Sequence, residues 1–106
     1  MFWFFLWYQS VYNAIKSGLI GLTRSFALEL SPHNVFVNCV SPGFFDTELT
    51  RRVLGEEGME EMRKRVPAGK LGDPQWVADL VCFLAADKNQ YITGQNIVID
   101  GGFICE

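Results

Sequence analysis

The sequence predicts an α/β protein built on part of a doubly wound parallel sheet. Two stretches, 34–40 and 95–100, are β-branched and apolar on both faces, as in strands covered on both sides. Each stops on glycine, at Ser41-Pro42-Gly43 and at Gly101-Gly102. Helical patterns precede the first stretch and separate it from the second, and parallel strands require such a crossover. Two parallel strands make too small a sheet to stand alone. The chain is therefore expected to be the second half of a larger domain, truncated on its N-terminal side.

A length of 106 residues allows one small domain. Apolar residues make up 49% and charged residues 20%, the balance of a globular chain. Net charge is −3, and the one basic cluster, Arg63-Lys64-Arg65, follows Glu60-Glu61 like a solvated helix face. Neither nucleic acid nor a membrane is expected as a partner. Cys39, Cys82 and Cys105 are odd in number and widely spaced, with no CxxC. Cys39 and Cys82 lie in apolar runs and are expected to be buried free thiols in a reducing compartment, the cytoplasm, without a metal site. His33, the sole histidine, follows a proline at a helix end and reads as a turn residue. That leaves Ser-His-Asp or Cys-His chemistry without support.

Residues 1–10 form an atypical aromatic N-terminal segment. Its run from Met1 to Tyr8 is too short to span a bilayer and lacks the basic and cleavage regions of a signal peptide. It reads as a buried strand or a helical approach. Residues 10–30 read as a helix with Ser10 as N-cap. Val11, Ile15, Leu19, Leu22, Phe26 and Leu30 form its apolar stripe, while Ala14, Gly18 and Gly21 allow close approach of another element. Ser31-Pro32 ends it.

After the 34–40 strand, Phe44 and Phe45 open a loop with aromatics that look exposed. Residues 48–65 read as a charged, poorly anchored helix interrupted by Gly55 and Gly58, with Glu60/Lys64 and Glu61/Arg65 as i,i+4 pairs. Val66-Pro67-Ala68-Gly69 breaks it, giving a two-piece flap. Gly72-Asp73-Pro74 is a helix start, Asp capping and Pro at the first turn. Trp76, Val77, Leu80, Val81, Phe83 and Leu84 give that helix a wide apolar face, and Asp87-Lys88-Asn89 closes it.

The chemistry-bearing candidate is Tyr12-x-x-x-Lys16. Four residues is just over one helical turn, so a phenol and an ammonium share a face. A free phenol titrates at about 10, too high for efficient proton transfer near neutrality. A neighbouring cation favours the phenolate. Such a pair can act as a general acid or base; it can equally be an ordinary surface pair.

The ordered set Tyr12-x-x-x-Lys16, Gly21-Leu22-Thr23-Arg24 to Ala27-Leu28-Glu29-Leu30, Val37-Asn38, Pro42-Gly43, Thr47, Gly72-Asp73-Pro74, and Thr93-Gly94-Gln95 to Asp100-Gly101-Gly102 resembles the short-chain dehydrogenase/reductase family. The type is the classical one, like 3-oxoacyl carrier-protein reductases, and the match covers about residues 11–103 of a partial Rossmann-like domain, 11–106. The resemblance implies an NAD(P)-dependent oxidoreductase acting on a small-molecule carbonyl or alcohol. It implies that Tyr12 moves the substrate's proton. By the same resemblance Lys16 would favour the phenolate and bind the nicotinamide ribose. Pro42 and Gly43 would lie close to the nicotinamide, and Thr47 at its carboxamide or phosphates. Residues 48–70 would be the substrate lid, and 74–103 the surface of a homo- or hetero-oligomer. Pro42-Gly43 alone could be a turn, and Thr47 alone a helix cap.

No GxxxGxG or GxGxxG occurs, so the N-terminal nucleotide-binding half of the fold is expected to be absent. The family's catalytic Ser lies farther upstream of the Tyr than this chain reaches, and Ser10, two residues away, faces elsewhere. The chain is expected to be inactive alone, or to serve as a non-catalytic module pairing with an intact relative. Nothing in it separates NAD from NADP.

Overall fold

The computed structural model describes the backbone of residues 2–105 and the side chains of 12–105. Helix α1 spans Phe2–Leu30 and strand β1 Cys39–Pro42. Helices α2 and α3 span Glu48–Arg65 and Pro74–Ala85, and strand β2 spans Asn96–Ile99. Single 3-10 turns stand at Ser31–His33, where the histidine falls as expected, and at Phe103–Cys105. The strands pair directly, β1 with β2. Cys39 N–H donates to Gln95 O at 2.8 Å and Gly43 N–H to Ile99 O at 2.9 Å, a constant register that makes the pair parallel. The α/β expectation holds. The chain divides into two compact units, one of Met1–Cys39 with Tyr91–Asn96, the other of Val40–Gln90 with Ile97–Glu106.

In the first unit, α1 runs through residue 10, so Ser10 does not cap it; the aromatic segment continues the helix from Phe2. The side chains of 1–11, including Val11 of the expected stripe, lie outside the described residues. Of the described stripe residues only Leu30 is partly buried, so the buried face of α1 is mostly not the stripe. Thr23 and Ala27 are buried, and Ile20 and Leu30 partly so, whereas Ile15, Leu19, Leu22 and Phe26 are 67%, 52%, 50% and 43% exposed. The two faces differ by one residue, about 100° of helical rotation. Small side chains decide the choice: Gly94, in the turn before β2, comes so close that a Cβ there would lie 3.2 Å from Ala27 Cβ. Thr23 satisfies its buried hydroxyl by donating to Leu19 O at 2.8 Å. Gly18 and Gly21 face open space instead of a close neighbour.

The expected strand 34–40 is shifted to 39–42. Asn34 takes a left-handed backbone, φ 59°. Residues 37 and 38 then bond to the 92–95 turn. Val37 N–H donates to Thr93 Oγ1, Gly94 N–H to Val37 O, and Asn38 Nδ2 to Ile92 O. Both strands are half-buried, not covered on both faces. Cys39 is half-buried and Cys82 exposed; neither is in a disulfide, and Cys82 is not a core residue.

In the second unit, Phe44 and Phe45 are packing residues, not exposed loop residues. Phe44 meets Phe103 edge-on at 4.9 Å between ring centroids. The Phe45 ring lies where a side chain on Gly72 would stand. The backbones of 44–46 and 72 bridge in parallel, with Gly72 N–H donating to Phe44 O and Asp46 N–H to Gly72 O. Helix α2 is capped at both ends but buries no residue along its length, in keeping with a poorly anchored helix, and kinks at Gly55 as expected. Its ion pairs are Glu48–Arg52 and Glu60–Arg63, not Glu60–Lys64 and Glu61–Arg65. Val66, its C-cap, is buried. Helix α3 starts on Asp73, whose Oδ1 accepts from Gln75 N–H at 2.9 Å. Val77, Leu80 and Leu84 are partly buried, while Trp76, Val81 and Phe83 are exposed. Buried Asn89 ends the helix by donating from Nδ2 to Leu84 O at 3.0 Å.

Candidate active site

The helical repeat of α1 places Tyr12 and Lys16 one turn apart. Tyr12 is 53% exposed, so its phenol is open to solvent. Lys16 Nζ stands 5.6 Å from the Tyr12 ring centroid, over its face. A cation in that position is attracted by the ring's quadrupole. The expected acid–base pair is thus brought together within the first unit.

Pro42, Gly43 and Thr47 are brought together in the second unit. They line one wall of a groove of about 640 Å³ whose opposite wall is α3, through Val77, Ala78 and Val81. β1 delivers Pro42 at its last residue, and the turn after it delivers Thr47. Gly43 is fixed by a close approach: a Cβ there would stand 2.5 Å from Asp100 Cβ and 2.8 Å from its Cα. The fold itself thus gives a reason for glycine at 43. Thr47 is the N-cap of α2. Its hydroxyl accepts from Thr50 N–H at 3.1 Å and shares a hydrogen bond with Thr50 Oγ1 at 2.8 Å.

Asp100 was legible only as the residue before a glycine pair, yet it organises this end of the unit. Its Oδ1 accepts from Gly102 N–H at 2.9 Å and its Oδ2 from Ile104 N–H at 3.0 Å. Asp46 and Arg51 were not singled out by sequence; an Asp five residues before an Arg carries no distinctive signal. They form a two-pronged ion pair of 2.6 and 2.7 Å. The hydrogen bonds from Arg51 hold the Asp46 carboxyl below the ordinary carboxylate range, and Asp46 raises Arg51 in turn. Arg63 likewise lowers Glu60. Among the described residues there is no cluster of metal-ligating side chains. Nor is any helix among them long and apolar enough to cross a membrane.

A family profile described as Enoyl-(Acyl carrier protein) reductase matches residues 5–104. The 3-oxoacyl-[acyl-carrier-protein] reductase of Thermotoga maritima is 45% identical over 96 residues, 91% of this chain and 39% of that protein. Its Aquifex aeolicus counterpart is 46% identical over 94 residues, 89% of this chain and 38% of that protein. Among solved structures, a short chain dehydrogenase family protein from Francisella tularensis superposes with a TM-score of 0.83 at 33% identity, over 90% of this chain and 43% of that one. A 4-hydroxyisoleucine dehydrogenase complexed with NADH gives 0.82 at 36%, over 92% and 40%. The chain spans about two-fifths of the length of these relatives. With the profile match running from 5 to 104 and the superpositions covering nine-tenths of the chain, the protein belongs to the short-chain dehydrogenase/reductase family.

Proposed function

We propose that this chain carries the proton-transfer half of an NAD(P)-dependent oxidoreductase site, acting on a secondary alcohol or ketone. The observation that carries the reading is the Lys16 ammonium 5.6 Å over the ring of a solvent-open Tyr12. In the reducing direction the Tyr12 hydroxyl hydrogen-bonds the substrate carbonyl oxygen and gives up its proton as that oxygen becomes an alcohol. Lys16 offsets the phenolate charge left behind. In the oxidising direction the phenolate takes the proton back. A bound nicotinamide would supply or accept the hydride.

The residues present fit part of that cofactor. The groove walled by Pro42, Gly43, Val77 and Val81 is apolar, with the Thr47 hydroxyl at its edge, and suits a flat aromatic amide. The phosphates find no comparable fit among the described residues. The α2 N-terminus is capped by Thr47 and that of α3 by the Asp73 carboxylate, which repels an anion. No glycine-rich phosphate turn occurs in the 106 residues. The 106-residue chain alone therefore binds nicotinamide cofactors weakly and does not turn over. Stoichiometric NADPH or NADH binding to it, measured by titration calorimetry, would contradict this.

The catalytic reading is tested by joining the chain to the remaining three-fifths of the Thermotoga maritima relative. The fusion should reduce a ketone substrate, and Tyr12→Phe should lower its rate by about 10²–10⁴-fold. Undiminished turnover in the Tyr12→Phe fusion would sink the assignment.

The exposed side chains of Trp76, Val81 and Phe83 favour a second role, docking of 74–103 on an intact family member without chemistry of its own. Co-purification with such a relative supports that role, and a monodisperse monomer in its presence rejects it.

A further inference from the structure

Two hydroxyls line the groove between the end of β1 and α3, those of Thr47 and Thr50. Both residues are half-buried. The other side chains that line the groove are apolar, apart from the Cys82 thiol. A polar group on a ligand seated there therefore has to be met largely by this pair.

A count of protons limits what the pair presents. The two oxygens stand 2.8 Å apart and share one hydrogen bond. Thr50 N–H also donates to Thr47 Oγ1, at 3.1 Å. Neither hydroxyl has another hydrogen-bond partner among the described residues. Two O–H groups with one bond between them leave one proton over. A hydroxyl has one donor and two acceptor positions. With Thr50 as the donor, Thr47 Oγ1 receives both the N–H and the O–H of Thr50. Its acceptor positions are then full, and the spare proton is its own. Two features favour this arrangement. Thr47 caps α2, where the helix dipole favours the oxygen that collects donors. An oxygen that accepts two hydrogen bonds is also polarised into a better donor.

We infer that Thr50 is a positioning residue: its hydroxyl donates to Thr47 Oγ1 and leaves the Thr47 proton as an oriented donor for a carbonyl oxygen in the groove. The ligand class selected is a flat ring bearing a carbonyl, in preference to the bare ring. The inference rests on the groove receiving the nicotinamide, and adds to that reading the residue that sets the direction of the one donor.

The test uses the isotope-labelled 106-residue chain. It is titrated with nicotinamide and with 3-methylpyridine, a matching ring without a carbonyl. The amide resonances of Val77, Ala78 and Val81 report each dissociation constant. The wild-type chain should prefer nicotinamide by about tenfold, the worth of one hydrogen bond. Thr47→Val should abolish the preference. Thr50→Val keeps the N–H bond to Thr47 but frees the Thr47 proton among its staggered positions, and should cut the preference by about threefold. Thr50→Ser should restore it. Loosening of the α2 start alone would weaken both rings alike and leave the preference where it was. An unchanged preference in Thr50→Val would overturn the inference. So would a greater loss in Thr50→Val than in Thr47→Val, which would place the spare proton on Thr50. Both of those outcomes leave the nicotinamide reading of the groove standing. Failure of the wild-type chain to bind either ring would remove that reading, and the inference with it.

Discussion

Helices α1 and α2 meet the same requirement in opposite ways. α1 is apolar, carries no acidic residue in its first turn and no basic residue in its last, and leaves Ile15, Leu19, Leu22 and Phe26 open. α2 has no buried residue, yet it is capped by Thr47, opens on Glu48, closes on Arg63, Lys64 and Arg65, and carries two ion pairs of its own. Its charges suit the helix dipole at both ends. One helix depends on packing and the other on local chemistry. Most helical stability in proteins comes from packing, and capping adds smaller increments. The difference teaches that apolar periodicity states which face can be buried, whereas the contacts a chain makes decide which face is.

The contrast can be broken most forcefully where the second unit brings backbone against a glycine. Gly43→Ala puts a methyl 2.5 Å from Asp100 Cβ, and backbone as well as side chain must yield. It should cost about 1–3 kcal/mol, seen as a lowered urea or thermal midpoint. Local capping comes next. Asp73→Ala removes the acceptor of Gln75 N–H and should cost about 1 kcal/mol in the same measurement. On α1 the outcome should be near zero. Leu19→Ala should stay within about 0.5 kcal/mol, because about half of the residue is already in water. A loss of about 2–5 kcal/mol would instead be the signature of a covered leucine and would erase the contrast.

Acid titration gives the smallest effect. Asp46 and Glu60 are held below the ordinary carboxylate value by hydrogen bonds from Arg51 and Arg63. A depressed carboxylate adds stability that is complete above its unfolded value of about 4 and is lost as pH falls through the lower folded value. Both groups are exposed and screened, so α2 helicity by circular dichroism should fall only modestly below pH 4, and less in high salt. A rise in helicity on acidification would have the wrong sign.

Much of this was readable beforehand, for identifiable reasons. The Asp73-Pro74 start, the kink at Gly55 and the parallel pairing of β1 with β2 rest on local rules of capping, of glycine conformation and of connection length. Tyr12 and Lys16 were legible because helical spacing alone brings them together. What was not legible depended on tertiary contact. The close approach of Gly94 turned α1 by one residue, and the bonds of residues 37 and 38 to the 92–95 turn pushed the strand to 39–42. The rings of Phe44 and Phe45 found partners at Phe103 and Gly72, far along the chain. Asp46–Arg51 was invisible because its spacing across a helix start matches no repeating pattern.

The central claim is that Lys16 makes Tyr12 a proton-transfer group. It is tested most directly by the rate of alcohol oxidation in the fusion with the part of the Thermotoga maritima relative that this chain does not span. Replacing Lys16→Met should lower the rate at saturating cofactor by about 10²-fold or more. An unchanged rate, with only the Michaelis constant for the cofactor raised, would make Lys16 a binding residue and contradict the account.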